Sequence, residues 1–120
     1  MERFIKREDC WLDTKTGLEW ELKQNEEELN YEDAIKYCEN LGEGWRSPTD
    51  KELESIVDRS KYKPATLLPD MRSSDYWSST TSAVNTIYAW YVHFLIGDVG
   101  NFYKSFSYYV RAVRGGQKND

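Results

Sequence analysis

Residues 76–114 read YWSSTTSAVNTIYAWYVHFLIGDVGNFYKSFSYYVRAVR, and the alternation inside this stretch decides the fold. Trp90, Val92 and Phe94 fall at every second position, which on a strand puts all three on one face. The residues between and after them mix apolar, aromatic and small polar types without a pattern of their own. A strand with a regular core face and a chemically arbitrary outer face predicts a scaffold that displays a surface. Strands are expected at residues 76–79, 88–95, 99–103 and 108–114, with Gly97-Asp98 and Gly100 marking the hairpin between the middle two.

Upstream, short apolar runs at residues 4–5, 10–12 and 18–22 predict three more strands. In the last of these Leu18, Trp20 and Leu22 share a face. The turn at residues 13–17, with Gly17 as the site for positive φ, makes a hairpin there. Residues 24–28 read as a polar, acidic surface loop. Asn30 is a good N-cap for a helix carrying Tyr31, Ala34, Ile35, Cys38 and Leu41 at helical spacing, which Gly42 closes. Thr49 and Glu52 have the spacing of a capping box, and Leu53, Ile56 and Val57 form the buried stripe of a second helix. Residues 59–75 predict a long irregular connection, and residues 115–120 a frayed tail.

A chain of 120 residues predicts a single domain spanning residues 1–120, with room for one core. Five Trp and nine Tyr mean that a few large side chains fill much of it. The net charge of −5 argues against nucleic acid as a partner, since a polyanion needs a basic face. The charge is uneven. Residues 1–72 carry 12 Lys and Arg against 18 Asp and Glu, whereas residues 73–114 carry three against two. The acidic part reads as a solvated back and the near-neutral part as the contact face. No apolar h-region and no stretch approaching a membrane span is visible, so the compartment stays open: cytoplasmic, phage-borne or part of a larger exported assembly. Cys10 and Cys38 read better as reduced, buried small residues than as a disulfide, with pairing left open.

Convergent catalytic groups are missing. The single histidine, His93, lies on the display face, and Asp98 is the one carboxylate near it in sequence. No catalytic residue, metal ligand or cofactor is therefore assigned. The Glu-rich helices and loop read as solvated faces. Arg111 and Arg114, set among Val110, Ala112 and Val113, predict arginines held by carboxylates or carbonyls of the fold. Trp45, Trp77 and Trp90 read as core.

What remains resembles an antibody paratope in composition, with six of the nine Tyr and seven Ser in residues 73–114. Ile87, Tyr88, Tyr91, His93, Phe102, Tyr103, Phe106 and Tyr108 are expected to form an exposed cluster gripping a macromolecule, most plainly a protein. Leu95, Ile96, Asp98, Asn101, Ser105 and Ser107 complete the ligand-binding set.

Taken in order, WLDTKTGLEW (residues 11–20), DAIKYCENLGEGWRSPTDKEL (33–53), YWSST (76–80), AWYVHF (89–94) and YYVRAVRGG (108–116) resemble the Lcl C-terminal domain family. That family has a C-type-lectin-like fold related to formylglycine-generating and sulfatase-modifying domains. The resemblance implies an α+β architecture, two helices packed on small antiparallel sheets, with the C-terminal half supplying the ligand face. The frame AWxVxFxxGxVxxxxKxxxxYVRAVRG, with residues 80–114 as the variable region, is similar to proteins diversified by retroelements that randomise template adenines.

The genetic code offers a check on that likeness. Randomised Asn codons ending in C or T never encode Lys, Glu, Gln, Met or Trp. The first four types make up 22 of residues 1–72 but only Lys104, a frame position, among residues 73–114. The formylglycine-generating relatives use late cysteines, and none follows Cys38, so that activity is not carried over. The Glu-Pro-Asn, Gln-Pro-Asp and Trp-Asn-Asp triplets of calcium-dependent lectins are absent too. The expectation is a non-enzymatic binding protein with a diversified surface. A saccharide-binding adhesion module with a fixed ligand is the alternative, and a formylglycine-generating-type enzyme the less favoured one.

Overall fold

A computed structural model describes residues 2–116, and residues 117–120 of the expected tail lie outside the described part. Phe4–Lys6 (β1), Cys10–Asp13 (β2) and Leu18–Glu21 (β3) pair antiparallel in succession, and Val113–Gly115 (β7) returns to lie beside β3. A second antiparallel sheet holds Asp75–Thr81 (β4), Tyr88–His93 (β5) and Asp98–Tyr103 (β6) in that order. Helices Tyr31–Asn40 (α1) and Asp50–Glu54 (α2) complete an α+β domain. No helix among the described residues is long and apolar enough to cross a membrane.

Local chemistry explains the element ends. Gly17, at φ 79°, closes the β2–β3 turn where a side chain would be strained. The Asn30 side chain accepts the Asp33 amide at 2.9 Å, opening α1. Thr49 and Glu52 form the reciprocal capping box of α2, and Arg46 holds the Glu52 carboxylate at 2.6 Å and 2.8 Å. α2 stops at Glu54, so Ile56 and Val57 lie beyond it rather than on its stripe, with Ile56 still buried. Leu41 at the end of α1 is exposed, because the chain turns away from the core there.

Two apolar clusters hold the sheets together. Trp20, Leu53, Ile56, Leu68, Tyr76, Val92, Phe94 and Val113 form one. Tyr31, Ala34, Cys38, Trp77, Ala89, Val110 and Ala112 form the other. Side chains of this size contribute about 1.5–3 kcal/mol each when fully buried. Cys10 and Cys38 are buried free thiols.

The 59–75 connection is irregular, as its sequence predicts, yet it is packed: Ala65, Leu68 and Met71 are buried, and the Ala65 amide donates to Phe94 O at 2.8 Å. Gln24 departs from the expected surface loop, because its side chain is buried and accepts the Tyr76 hydroxyl at 2.8 Å.

The last strand also differs from expectation. Tyr108 and Tyr109 make isolated bridges to Leu29 and Tyr76, and only Val113–Gly115 is a strand. The break comes where Arg111 turns fully into the interior. Its guanidinium donates to the carbonyls of Glu21 (2.8 Å), Leu22 (2.7 Å) and Pro69 (2.8 Å). Gly115, placed in the frayed tail by sequence, pairs with Leu18. Arg114 is held by Glu19 at 2.6 Å and Asp9 at 2.8 Å, its guanidinium over the Trp45 ring. Both arginines thus serve the fold.

Candidate ligand-binding surface

The β5–β6 hairpin is the centre of the candidate site. Register pairs Tyr88 with Tyr103, Ala89 with Phe102, Trp90 with Asn101, Tyr91 with Gly100, Val92 with Val99 and His93 with Asp98. Residues directly opposite share a face. One face therefore carries Tyr88, Trp90, Val92, Val99, Asn101 and Tyr103, and the other Ala89, Tyr91, His93, Asp98 and Phe102.

Both faces are partly used by the fold. Val92 and Phe94 are sealed in the first cluster while Trp90 is only half-buried, so the expected core face loosens toward one end. On the supposed outer face Ala89 is sealed in the second cluster and Tyr91 packs against it. The outer face of β5 is therefore not free as a whole, and the open surface is concentrated on β6 and the turns beside it.

The ligand-binding residues expected from sequence fall into separate groups. Tyr88, Phe102, Tyr103 and Phe106 form a contiguous aromatic cluster. Ring centroids lie 4.9 Å apart for Tyr88–Tyr103, 5.4 Å for Phe102–Tyr103 and 4.5 Å for Phe102–Phe106. Tyr103 and Phe106 are 42% and 49% exposed, too open for core residues. Ile87 adjoins them, its carbonyl accepting the Lys104 amide at 2.9 Å, and Ser105 and Ser107 flank Phe106 in the exposed turn. Lys104 does a different job: its ammonium sits 4.6 Å from the Tyr31 ring centre and ties the turn to the start of α1.

Tyr91 and Tyr108 form a second group, 5.0 Å apart, with Tyr108 packed on Trp77 at 4.7 Å. Burial, then the nearby Asp75 charge, pushes the Tyr108 phenol up to about 12, and the Tyr91 phenol is raised by burial and by Asp75 and Asp98. A side chain at position 100 would meet the Tyr91 hydroxyl at 2.9 Å, so the phenol lies directly over Gly100. Leu95 and Ile96 form a third group at the hairpin tip, pinned by Arg59 Nη2 donating to Gly97 O at 2.7 Å. Gly97 has φ 88° and is packed against Val57, leaving no room for a Cβ. The length of β5, roughly 20 Å at about 3.4 Å per residue, separates this tip from the aromatic cluster.

Sequence reasoning missed two features. Asp75, on β4 opposite His93, brings its Oδ1 to 2.7 Å from His93 Nδ1, an ion-pair distance reached without hydrogen-bond alignment. With Tyr91, Asp98 and Val99 they line a cleft of about 350 Å³. Val84, in the turn before β5, is 95% exposed; its signal was an aliphatic residue beside Ala83 in a run otherwise polar, Ser82, Asn85 and Thr86. Among the described residues no group of three His, Cys, Asp or Glu side chains is placed to hold a metal ion.

The contrast between the groups predicts distinct mutational effects. Tyr103→Ala is expected to change stability by less than about 0.5 kcal/mol. Tyr91→Ala is expected to cost about 1–2 kcal/mol, since it strips cover from Gly100 and support from Tyr108. Urea unfolding of both variants checks this, and equal losses would place Tyr103 in the core.

These features define the class: an α+β domain with two antiparallel sheets and an exposed aromatic cluster on its second hairpin. The sequence profile of the Lcl C-terminal domain matches residues 9–114, and the chain belongs to that family. No curated protein matches the chain.

Proposed function

We propose that this chain is a non-enzymatic, receptor-like binding protein. Its scaffold is of the C-type-lectin-like kind, and its surface at residues 80–114 is diversified by a retroelement. One observation carries the reading. Ile87, Ile96, Tyr103 and Phe106 are 45–52% or, for Tyr103, 42% exposed, while Ala89, Val92 and Phe94 of the same hairpin are sealed. Large apolar side chains in water cost solubility unless a partner covers them, and an aromatic-rich surface flanked by Ser suits protein recognition. Phe102, Tyr103 and Phe106 lie where the frame leaves positions open, and the anchoring residues Lys104, Arg111 and Arg114 lie where the frame is fixed.

A codon library tests this. Positions 101, 103, 105, 106 and 107 are replaced by codons ending in C or T, and members are screened for folding and for binding to a panel of proteins. Most members are expected to melt within about 10 °C of the parent, because exposed substitutions cost little each. Their target preferences are expected to differ. General unfolding would move these residues into the fold's own support, and a single target retained throughout would favour a fixed ligand. A saccharide-binding adhesion module is the second reading, favoured by the open rings of Tyr103 and Phe106, which offer stacking faces for a sugar. A glycan array with and without chelator separates it from the first.

A further inference from the structure

Among the described residues the strand edges are either engaged or short, with one exception. The outer side of β4 is engaged by Tyr109, whose carbonyl accepts the Trp77 amide at 2.8 Å, and by Pro48, whose carbonyl accepts the Ser79 amide at 2.6 Å. The outer side of β7 is closed by Arg46, which exchanges two bonds with Val113 at 2.8 Å and 2.9 Å. β1 is only three residues long. β6 has six residues, pairs with β5 alone and contains no Pro, Lys or bulge; Asp98 at its first position is its single charged residue.

The direction of its backbone groups follows from the ladder. The Lys104 amide donates to Ile87 O, and the Phe94 amide donates to Ser74 O in β4's direction. Alternation then makes Ala89–Phe102, Tyr91–Gly100 and His93–Asp98 the bonded pairs of the hairpin. The amides of Val99, Asn101 and Tyr103 therefore point outward, as do the carbonyls of Val99 and Asn101. No hydrogen-bond partner for these five groups is found among the described residues, while Tyr103 O is taken by the Phe106 amide at 3.0 Å. Val99, Asn101 and Tyr103 are all exposed, so among the described residues the edge stands open to a second strand.

We infer that this edge receives an extended segment of the partner protein, which pairs with Val99–Tyr103 and adds a fourth strand to the sheet. The inference rests on the binding reading above and deepens it. Main-chain pairing supplies affinity that does not depend on which side chains occupy the variable positions, while those side chains choose the sequence that docks. Charge defines the partner further. Asp98 is exposed and, among the described residues, in no ion pair with Lys or Arg. Asp75 across the cleft faces His93 at 2.7 Å and Arg59 is turned to the Gly97 carbonyl, so Asp98 is the carboxylate left open at that end of the edge. The docking segment carries a Lys or Arg at that end and apolar side chains on the face of Val99 and Tyr103.

A display library of random linear dodecapeptides, selected on the whole chain, provides the probe. Asn101→Pro deletes one outward amide hydrogen and leaves the β5 ladder intact, because proline is tolerated where the amide faces solvent. Asn101→Ala removes the side chain and keeps the amide. Selected peptides are expected to bind Asn101→Pro at least about tenfold more weakly than Asn101→Ala, roughly the loss of one hydrogen bond together with strand fit. Hydrogen exchange at the Val99, Asn101 and Tyr103 amides of the parent is expected to slow when peptide binds.

Equal binding by the two variants, or unprotected amides, overturns the edge pairing. If Tyr103→Ala with Phe106→Ala still abolishes binding in that case, the recognition surface stands without it. Recovery of no peptide also overturns the pairing. So does a concentration-dependent dimer that Asn101→Pro abolishes, since the occupant would then be a second copy of this chain.

Discussion

Arg111→Ala is expected to destabilise the fold by about 4 kcal/mol, the largest single effect foreseen for this chain. Three part-buried carbonyls, from Glu21, Leu22 and Pro69, lose the fully buried guanidinium that satisfies them. Leaving a buried polar group unpaired costs about 1–3 kcal/mol, and the cavity left by a fully buried side chain adds to it. Against a typical stability of about 5–15 kcal/mol this is a large fraction. The melting temperature should fall by roughly 15 °C. Replacing a buried arginine by a hydrophobic residue of similar volume is sometimes harmless when its partner is removed with it. That escape is closed here, because the partners are main-chain carbonyls, so Arg111→Met is expected to be destabilised too. Guanidinium denaturation of both variants decides, and a loss below about 1 kcal/mol would deny the residue its role as a tie between β3 and the 59–75 connection.

The second expected result concerns acid. Asp13, fully buried at the end of β2, accepts from Arg3 Nε and Nη2 at 2.9 Å each, from the Lys15 amide at 2.9 Å and from the Thr16 hydroxyl at 2.9 Å. Burial pushes its carboxyl up, but the Arg3 guanidinium with the amide and hydroxyl outweighs that and holds it below the ordinary value. A carboxyl depressed by folding stabilises the native state above its unfolded pKa, near 3.8. That contribution is lost as pH falls through the lower folded value. Asp13→Asn should therefore cost about 2–3 kcal/mol at pH 7, and its deficit relative to the parent should narrow progressively below about pH 4. Urea midpoints at pH 7 and pH 3 measure it. An unchanged deficit would mean that the charge of Asp13 contributes nothing.

Local signals were legible in the sequence because their causes lie within a few residues. Asn30, the Thr49–Glu52 box, Gly17 and the turn at Gly97 each announce themselves by side-chain chemistry or by φ. The family resemblance was likewise carried by short motifs in a fixed order. What was hidden depends on partners distant in sequence. The run from Tyr108 to Arg114 looks like one strand, and only the three carbonyls around Arg111 explain why it breaks. The outer face of β5 looks arbitrary, yet Trp77 and Tyr108 cover part of it from elsewhere. Asp75 meets His93 through the register of β4 against β5, which no spacing reveals. Gln24 sat in a polar run and found its burial in the Tyr76 hydroxyl.

The phenol of Tyr91 resting on Gly100 means that these two positions do not mutate independently. A bulky residue at one obliges a minimal residue at the other, so this pair admits fewer combinations than the product of its separate choices. Chains of this kind that shrink at 91 gain room to grow at 100. Such a trade would register as paired substitutions on facing strands, an imprint of packing upon sequence.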